Sequence, residues 1–170
     1  MNTSVHHVLA PAINGSRFTY AIGKLVLWSA KQKFVDAHGD VLKNGYFEHL
    51  AIANPKTAPY GAAAIETLEH LDALKPLQNK FVQGESIAQT HQFIASGNAE
   101  LGFVALSQVL KDGKISAGSA WIVPESLYTT IRQDAVLLVN GKNKAAPITL
   151  LKFLQGSKAK ALIKASGYSL

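Results

Sequence analysis

The 170-residue chain predicts an α/β fold, a parallel or mixed sheet flanked by helices. Two observations predict it. Through the middle of the chain short apolar runs alternate with helical stretches, the pattern of βαβ units. Two of those runs end on turn residues that lead directly into a helix start, at 54–59 and at 84–86. No internal repeat and no low-complexity segment interrupts the pattern.

The elements follow in order. Residues 1–17 read as irregular, broken by Pro11, Asn14 and Gly15. The apolar run 25–28 predicts a strand, and 31–47 a loop with a short helix ending near Gly45. Strand 49–53 contains the small apolar residues Ala51, Ile52 and Ala53. Asn54-Pro55 ends it, because the residue before a proline is pushed away from helix. Thr57 is the expected N-cap and Pro59 suits the first helical turn. The helix is predicted over 58–74, with Ile65, Leu68, Leu71 and Leu74 at helical spacing and Pro76 just beyond its end. A short strand at 80–83 follows. Ser86 caps a helix to about Ser96, which Gly97 stops. Residues 101–104 predict a strand and 105–110 a helical turn. Strands are expected at 119–123 and 134–139, the second opened by Arg132-Gln133-Asp134. Pro147 opens a helix that Gly156 stops, and Ser157 caps a last one that Gly167 stops.

Composition narrows the function classes. With 48% hydrophobic and 16% charged residues the chain reads as folded rather than disordered. It has no cysteine, which excludes disulfides and thiolate metal sites. A formal charge of +6 steers anions toward it. The 17 basic residues are spread along the chain, with small clusters at Lys31–Lys33 and Lys158–Lys164. Neither cluster is interleaved with aromatics, so both read as solvated helix faces and not as a nucleic-acid surface. No apolar run reaches the ~18 residues of a membrane span. Residues 1–11 lack the basic start and long apolar core of a secretory signal.

The chemistry gathers at two junctions. Strands 49–53 and 80–83 feed helices that begin near Tyr60 and Ile87. Ligands of open α/β sheets collect at the carboxyl ends of strands. Two helix starts there offer free N–H groups and two partial positive ends, a setting for an anion. Such donors suit a fully ionised tetrahedral oxyanion, whereas a protonated phosphate brings a donor that meets no acceptor. Gly61 permits a ligand or another backbone to come close. Lys56 reads as solvated, since a hydrated ammonium discriminates poorly between oxyanions. Glu85 favours the helix start but repels an anion if turned inward, so it is expected to face out. Tyr60 and Ile87 also have plain readings as core residues, which for Ile87 is compatible with a backbone role.

Asn54-Pro55-Lys56-Thr57-Ala58-Pro59-Tyr60-Gly61 resembles the signature of the periplasmic molybdate-binding proteins of bacterial ABC transporters. Blocks at 18–29, 84–90 and 97–108 agree with it in order and spacing, and the resemblance covers about residues 16 to 170. It implies a type II periplasmic-binding-protein fold and a non-enzymatic role: no cofactor, molybdate or tungstate as ligand, a membrane permease as partner, a periplasmic location. It places ligand contacts at Tyr60, through its backbone and in some members its side chain, and at the backbone N–H of Ile87. Ala58 and Ser86 are neighbours that assist. Ala105 stands where some members carry a tyrosine donor. The resemblance makes 25–126 the second lobe and 1–24 with 127–170 a remnant of the first, with hinge strands near 20–24 and 129–134. Family members begin with a further stretch that completes the first lobe and supplies the remaining hydroxyl and amide ligands. The expectation is therefore an incomplete first lobe, half of the clamp absent, and a signal peptide upstream.

Three other readings stand beside this one. The chain is a truncated product that does not bind, or an oligomeric fragment. The helices at 147–155 and 158–166 would then expose Ile148, Leu151, Leu154, Leu162 and Ile163 unless a homodimer or swapped assembly covers them. A small-ligand sensing domain of a regulator is another, although 1–17 is too short for a helix-turn-helix. A small hydrolase, testable at His91 and Ser86, is the last; no Gly-x-Ser-x-Gly, P-loop, Gly-x-Gly-x-x-Gly or His-Glu-x-x-His motif supports it. Glu66 and His70, four apart, lack a third metal ligand and read as a surface pair. His6-His7 belongs to the amino-terminal tail.

Overall fold

Apolar runs without a polar break become the buried strands of the protein. The computed structural model describes residues 11–170; His6 and His7 lie outside the described residues. After β1 (Phe18–Gly23) come β2 (Leu25–Ser29), buried at every residue, the short helix α1 (Val41–Asn44) and β3 (Leu50–Ala53), again fully buried. Helices α2 (Pro59–His70) and α3 (Leu74–Leu77) lead to β4 (Phe81–Gly84), α4 (Ile87–Ala95) and β5 (Leu101–Ala105). One turn of helix, α5 (Leu106–Val109), precedes a hairpin of β6 (Leu110–Lys111) and β7 (Lys114–Ile115). Then come β8 (Ser119–Ile122), β9 (Ile131–Ala135), α6 (Ala145–Gln155) and α7 (Ser157–Ala165).

The main sheet has the order β4-β3-β5-β2-β8. It is mixed: β3 pairs parallel with β4 and β5, whereas β2 pairs antiparallel with β5 and β8. Successive side chains of a strand point to opposite faces. Leu25, Leu27, Leu50, Ile52 and Phe103 accordingly pack with Ala64 and Leu68 of α2, while Val26, Trp28, Ala51 and Val104 pack with Ile94 of α4. Each such fully buried large side chain contributes about 1.5–3 kcal/mol.

Several boundaries differ from the expectation. The long helix from 58 stops at His70, because Asp72 turns left-handed (φ 54°), and Pro76 falls inside α3. Ala58, not Thr57, is the N-cap of α2; Gly156, not Ser157, is that of α7. The strand expected at 134–139 lies at 131–135, and 139–141 form a 3-10 turn. The reason is its partner. β9 pairs antiparallel with β1, a strand the apolar pattern does not mark, and this two-stranded ladder is only partly buried. Polar residues fit there: Asp134 accepts from Arg17 Nε (2.6 Å) and Thr19 Oγ1 (2.7 Å). The β6–β7 hairpin, also unmarked, turns on Asp112 and Gly113, both at positive φ.

Helix α6 contains no buried residue and α7 buries only Ala159. Leu162 is exposed, as the amphipathic reading expects for an uncovered helix, but Ile148, Leu151, Leu154 and Ile163 are half-buried, and Leu150 and Phe153 are exposed in their place. Among the described residues no helix is long and apolar enough to cross a membrane.

Candidate anion-binding site

Asn54 builds the first junction. Its N–H donates to Gly84 O (2.7 Å), which ties the ends of β3 and β4 together. Its carbonyl accepts the N–H groups of Thr57 (3.2 Å) and Ala58 (2.8 Å), and its Oδ1 accepts that of Lys56 (3.0 Å). This Asx turn delivers the chain into α2 with Pro59 as first helical residue and no side chain at the cap. At Gly61 a Cβ would stand 2.2 Å from Ala53 O, so the glycine admits the backbone of β3, not a ligand.

The second junction uses a side chain. Ser86 is extended, and its Oγ accepts the Gln89 N–H (3.2 Å). Thr90 Oγ1 donates back to Ser86 O (2.9 Å). Both helix starts leave donors open. Among the described residues, the N–H groups of Tyr60 and Ile87 have no hydrogen-bond partner. The Ala58 N–H is engaged by Asn54. The Ser86 hydroxyl hydrogen has no acceptor among the described residues.

Strand pairing brings these groups to one edge. The register Ala53↔Gly84 puts both junctions at the carboxyl edge of the parallel strands, and Ala105 of β5 ends there too. Because β2 runs antiparallel to β5, with Leu25 opposite Ala105, the chain enters β2 at that edge. Lys24 O accepts the Leu106 N–H (2.9 Å), and Val123 N–H donates to Leu25 O (3.1 Å). The links from β1 to β2 and from β8 to β9 therefore cross the same edge.

Tyr60 reaches that crossing. It is 7% exposed, and its Oη lies 2.2 Å from where a Cβ on Gly23 would stand. The hydroxyl is buried with no hydrogen-bond partner among the described residues. Leaving such a group unpaired costs about 1–3 kcal/mol. Burial, with Tyr168, Tyr128 and Tyr20 beside it, pushes the hydroxyl above the ordinary tyrosine range, so it keeps its proton and remains a donor. Neighbouring groups fix the crossing. Tyr128 Oη accepts the Leu25 N–H (3.2 Å), and the Glu66 carboxylate accepts the Thr129 N–H.

The remaining candidates fall as follows. Glu85 is exposed and accepts from Asn54 Nδ2 (3.3 Å); Lys56 is exposed. Glu66 faces Thr129, and His70 Nδ1 lies 2.8 Å from the Glu66 carbonyl oxygen. Sequence reasoning missed Gln108, Gly23 and Tyr128. Gln108 Oε1 accepts the Ala105 N–H (3.0 Å) and its Nε2 donates to Ile87 O (3.1 Å), joining the third junction to the first residue of α4. A glutamine three residues past a strand end is a capping signal that could have found it. Nothing local marks Gly23 or Tyr128. Together the edge presents two amides, a protonated phenol and a free hydroxyl, all donors.

Comparison with known proteins agrees with this architecture. Residues 4–169 match the family model described as bacterial extracellular solute-binding protein. The chain is 61% identical over 158 residues to the molybdate-binding protein ModA of Azotobacter vinelandii, covering 93% of this chain and 63% of the relative. It is 52% identical to ModA of Rhodobacter capsulatus, covering 92% of this chain and 61% of the relative. It thus spans less than two thirds of these relatives' length. The solved structure of the Azotobacter vinelandii periplasmic molybdate-binding protein superposes with a TM-score of 0.89 at 48% identity, over 94% of this chain and 70% of that one. The chain belongs to the bacterial extracellular solute-binding proteins.

Proposed function

We propose that this chain is the substrate-capture component of a bacterial molybdate ABC transporter, binding molybdate or tungstate in the periplasm and delivering it to a membrane permease. The names of its relatives supply the ligand. Tyr60 is the observation that carries the reading in this molecule. One residue offers an unpaired backbone N–H and an unpaired, protonated hydroxyl at the edge where α2 and α4 begin. Ile87 adds the second amide and the Ser86 hydroxyl assists. Ala58 positions Tyr60 through its bond to Asn54 and does not donate itself.

A donor-only set favours a ligand that only accepts. No bond is made or broken, so the role is capture and not catalysis. Residues 25–126 act as one lobe, and 1–24 with 127–170 belong to the other. The ladder of β1 and β9 is the hinge, and the ligand shifts its population toward the closed arrangement.

Ile87→Pro tests this, with Ile87→Ala as the control for the side chain that packs against the core. Proline is well tolerated at the first helical position, and Ser86 is already extended (φ −144°, ψ 161°). The substitution removes one N–H. Equilibrium dialysis should show molybdate preferred over sulfate, with affinity falling about tenfold in the variant, as for loss of a hydrogen bond to a charged group. Equal uptake of molybdate and sulfate, or unchanged affinity in Ile87→Pro, overturns the reading.

A further inference from the structure

An open amide serves an anion best when its direction is fixed before the anion arrives. The Ile87 N–H has no partner among the described residues, and it belongs to the first residue of α4, where a helix is least constrained by its own bonds. Two residues that do not themselves belong to the donor set hold the peptide groups on either side of it.

Thr90 holds the peptide group before Ile87. Peptide planarity makes the Ser86 carbonyl and the Ile87 N–H one rigid group, so fixing the oxygen aims the hydrogen. Ser86 O accepts both the Thr90 N–H (3.0 Å) and the Thr90 hydroxyl (2.9 Å). Thr90 is fully buried. A Cβ on Gly84 would stand 2.7 Å from its Oγ1, so the glycine that ends β4 is what admits the hydroxyl. Gln108 holds the peptide group after Ile87. Its Nε2 donates to Ile87 O (3.1 Å), and its Oε1 accepts the Ala105 N–H (3.0 Å). The planar side-chain amide thereby ties α4 to the end of β5. The Leu106 N–H goes to Lys24 O (2.9 Å), so the Ala105 and Leu106 amides at the third junction are both taken. Gln108 thus also withdraws one amide from the ligand and leaves the starts of α2 and α4 to bind it.

Thr67 provides an internal comparison. It too is fully buried, and its Oγ1 donates four residues back, to Ala63 O (2.8 Å). That bond lies inside α2, past its start, whereas the bond of Thr90 falls on the peptide group that carries the open amide. On the reading that the Ile87 N–H donates to the anion, we propose that Thr90 and Gln108 are positioning residues for that amide. They set the direction in which it meets the ligand.

The test compares Thr90→Val and Gln108→Met with Thr67→Val, each in the full chain. NMR relaxation without any anion reads the order parameter of the Ile87 N–H. It should fall from the roughly 0.85 of rigid backbone toward about 0.6 in Thr90→Val and Gln108→Met, and stay unchanged in Thr67→Val. Molybdate affinity by equilibrium dialysis should drop about three- to tenfold in the first two variants and not in Thr67→Val. Thermal midpoints should fall alike in the two threonine variants, since each loses the same kind of buried bond. Thr90→Ser keeps the hydroxyl and should restore both the order parameter and the affinity. Unchanged order parameters in Thr90→Val and Gln108→Met, or an equal loss of affinity in Thr67→Val, overturn the proposal. If the order parameters fall as expected while the unaltered chain takes up no molybdate, the positioning role stands and the ligand reading fails.

Discussion

Helices α2 and α4 begin at neighbouring strand ends, yet they satisfy their first N–H groups differently. At α4 a side chain serves: Ser86 Oγ takes the Gln89 N–H and leaves that of Ile87 open. At α2 the cap residue is Ala58, extended at φ −115° and ψ 120° but without a side-chain acceptor, and the turn is held by Asn54 from outside the helix. The α2 start thus lacks the internal cap that most helix starts carry, at the position where Tyr60 also buries an unpaired hydroxyl. An anion at this edge would serve as the missing acceptor for both.

The largest effect expected from breaking this comparison is at Gly61. Gly61→Val drives a side chain into the Ala53 carbonyl and should cost about 3 kcal/mol, at the upper end of overpacking, in urea denaturation. An unchanged midpoint would mean that α2 is not seated against β3 as described. The two caps come next. Ser86→Ala should lose about 1 kcal/mol. Ala58→Ser should move the other way, gaining about 0.5–1 kcal/mol while weakening molybdate binding, because the new hydroxyl competes for the amides of the first turn. Tighter binding in Ala58→Ser would contradict the role given to Tyr60 N–H. Tyr60→Phe removes the unpaired hydroxyl. It should raise stability without ligand by about 1 kcal/mol and lower molybdate affinity.

The smallest effect is electrostatic. His91 stacks on Trp28, with ring centroids 5.0 Å apart. Burial lowers its pKa below the ordinary histidine range. The unfolded chain therefore takes up the proton first, so stability is full above about pH 6.5 and declines as pH falls through the lower folded value. His91→Gln should flatten that part of the pH–stability profile. A decline of the same size in the variant would assign it elsewhere, since Asp36 and Glu100 also titrate below their usual values and lose their stabilisation at more acid pH.

The legible parts of the fold are those where local chemistry and burial agree. Strands β3 and β5 are apolar throughout and β2 is apolar up to its last residue, Ser29, while Asn54-Pro55, Ser86 and Gly97 mark the turns and caps that follow as their backbone preferences require. The ladder β1–β9 was illegible as an apolar pattern because it is half in solvent and held by Arg17, Thr19 and Asp134 across more than a hundred residues. At the site, the open amides of Tyr60 and Ile87 follow from strand-to-helix junctions that the sequence displays. The orphaned hydroxyl of Tyr60 does not, since it depends on Gly23 and on where β1 crosses into β2. Gln108 likewise acts only because β5 lies next to β3 and brings it to Ile87.

The most direct test is the thermal midpoint of the chain with molybdate, with sulfate at equal concentration as control. A ligand at about 100 times its dissociation constant stabilises by roughly 2.7 kcal/mol, which moves the midpoint by several degrees. The account predicts a rise with molybdate that sulfate does not reproduce and that Tyr60→Phe diminishes. No rise with molybdate, or an equal rise with sulfate, would contradict it.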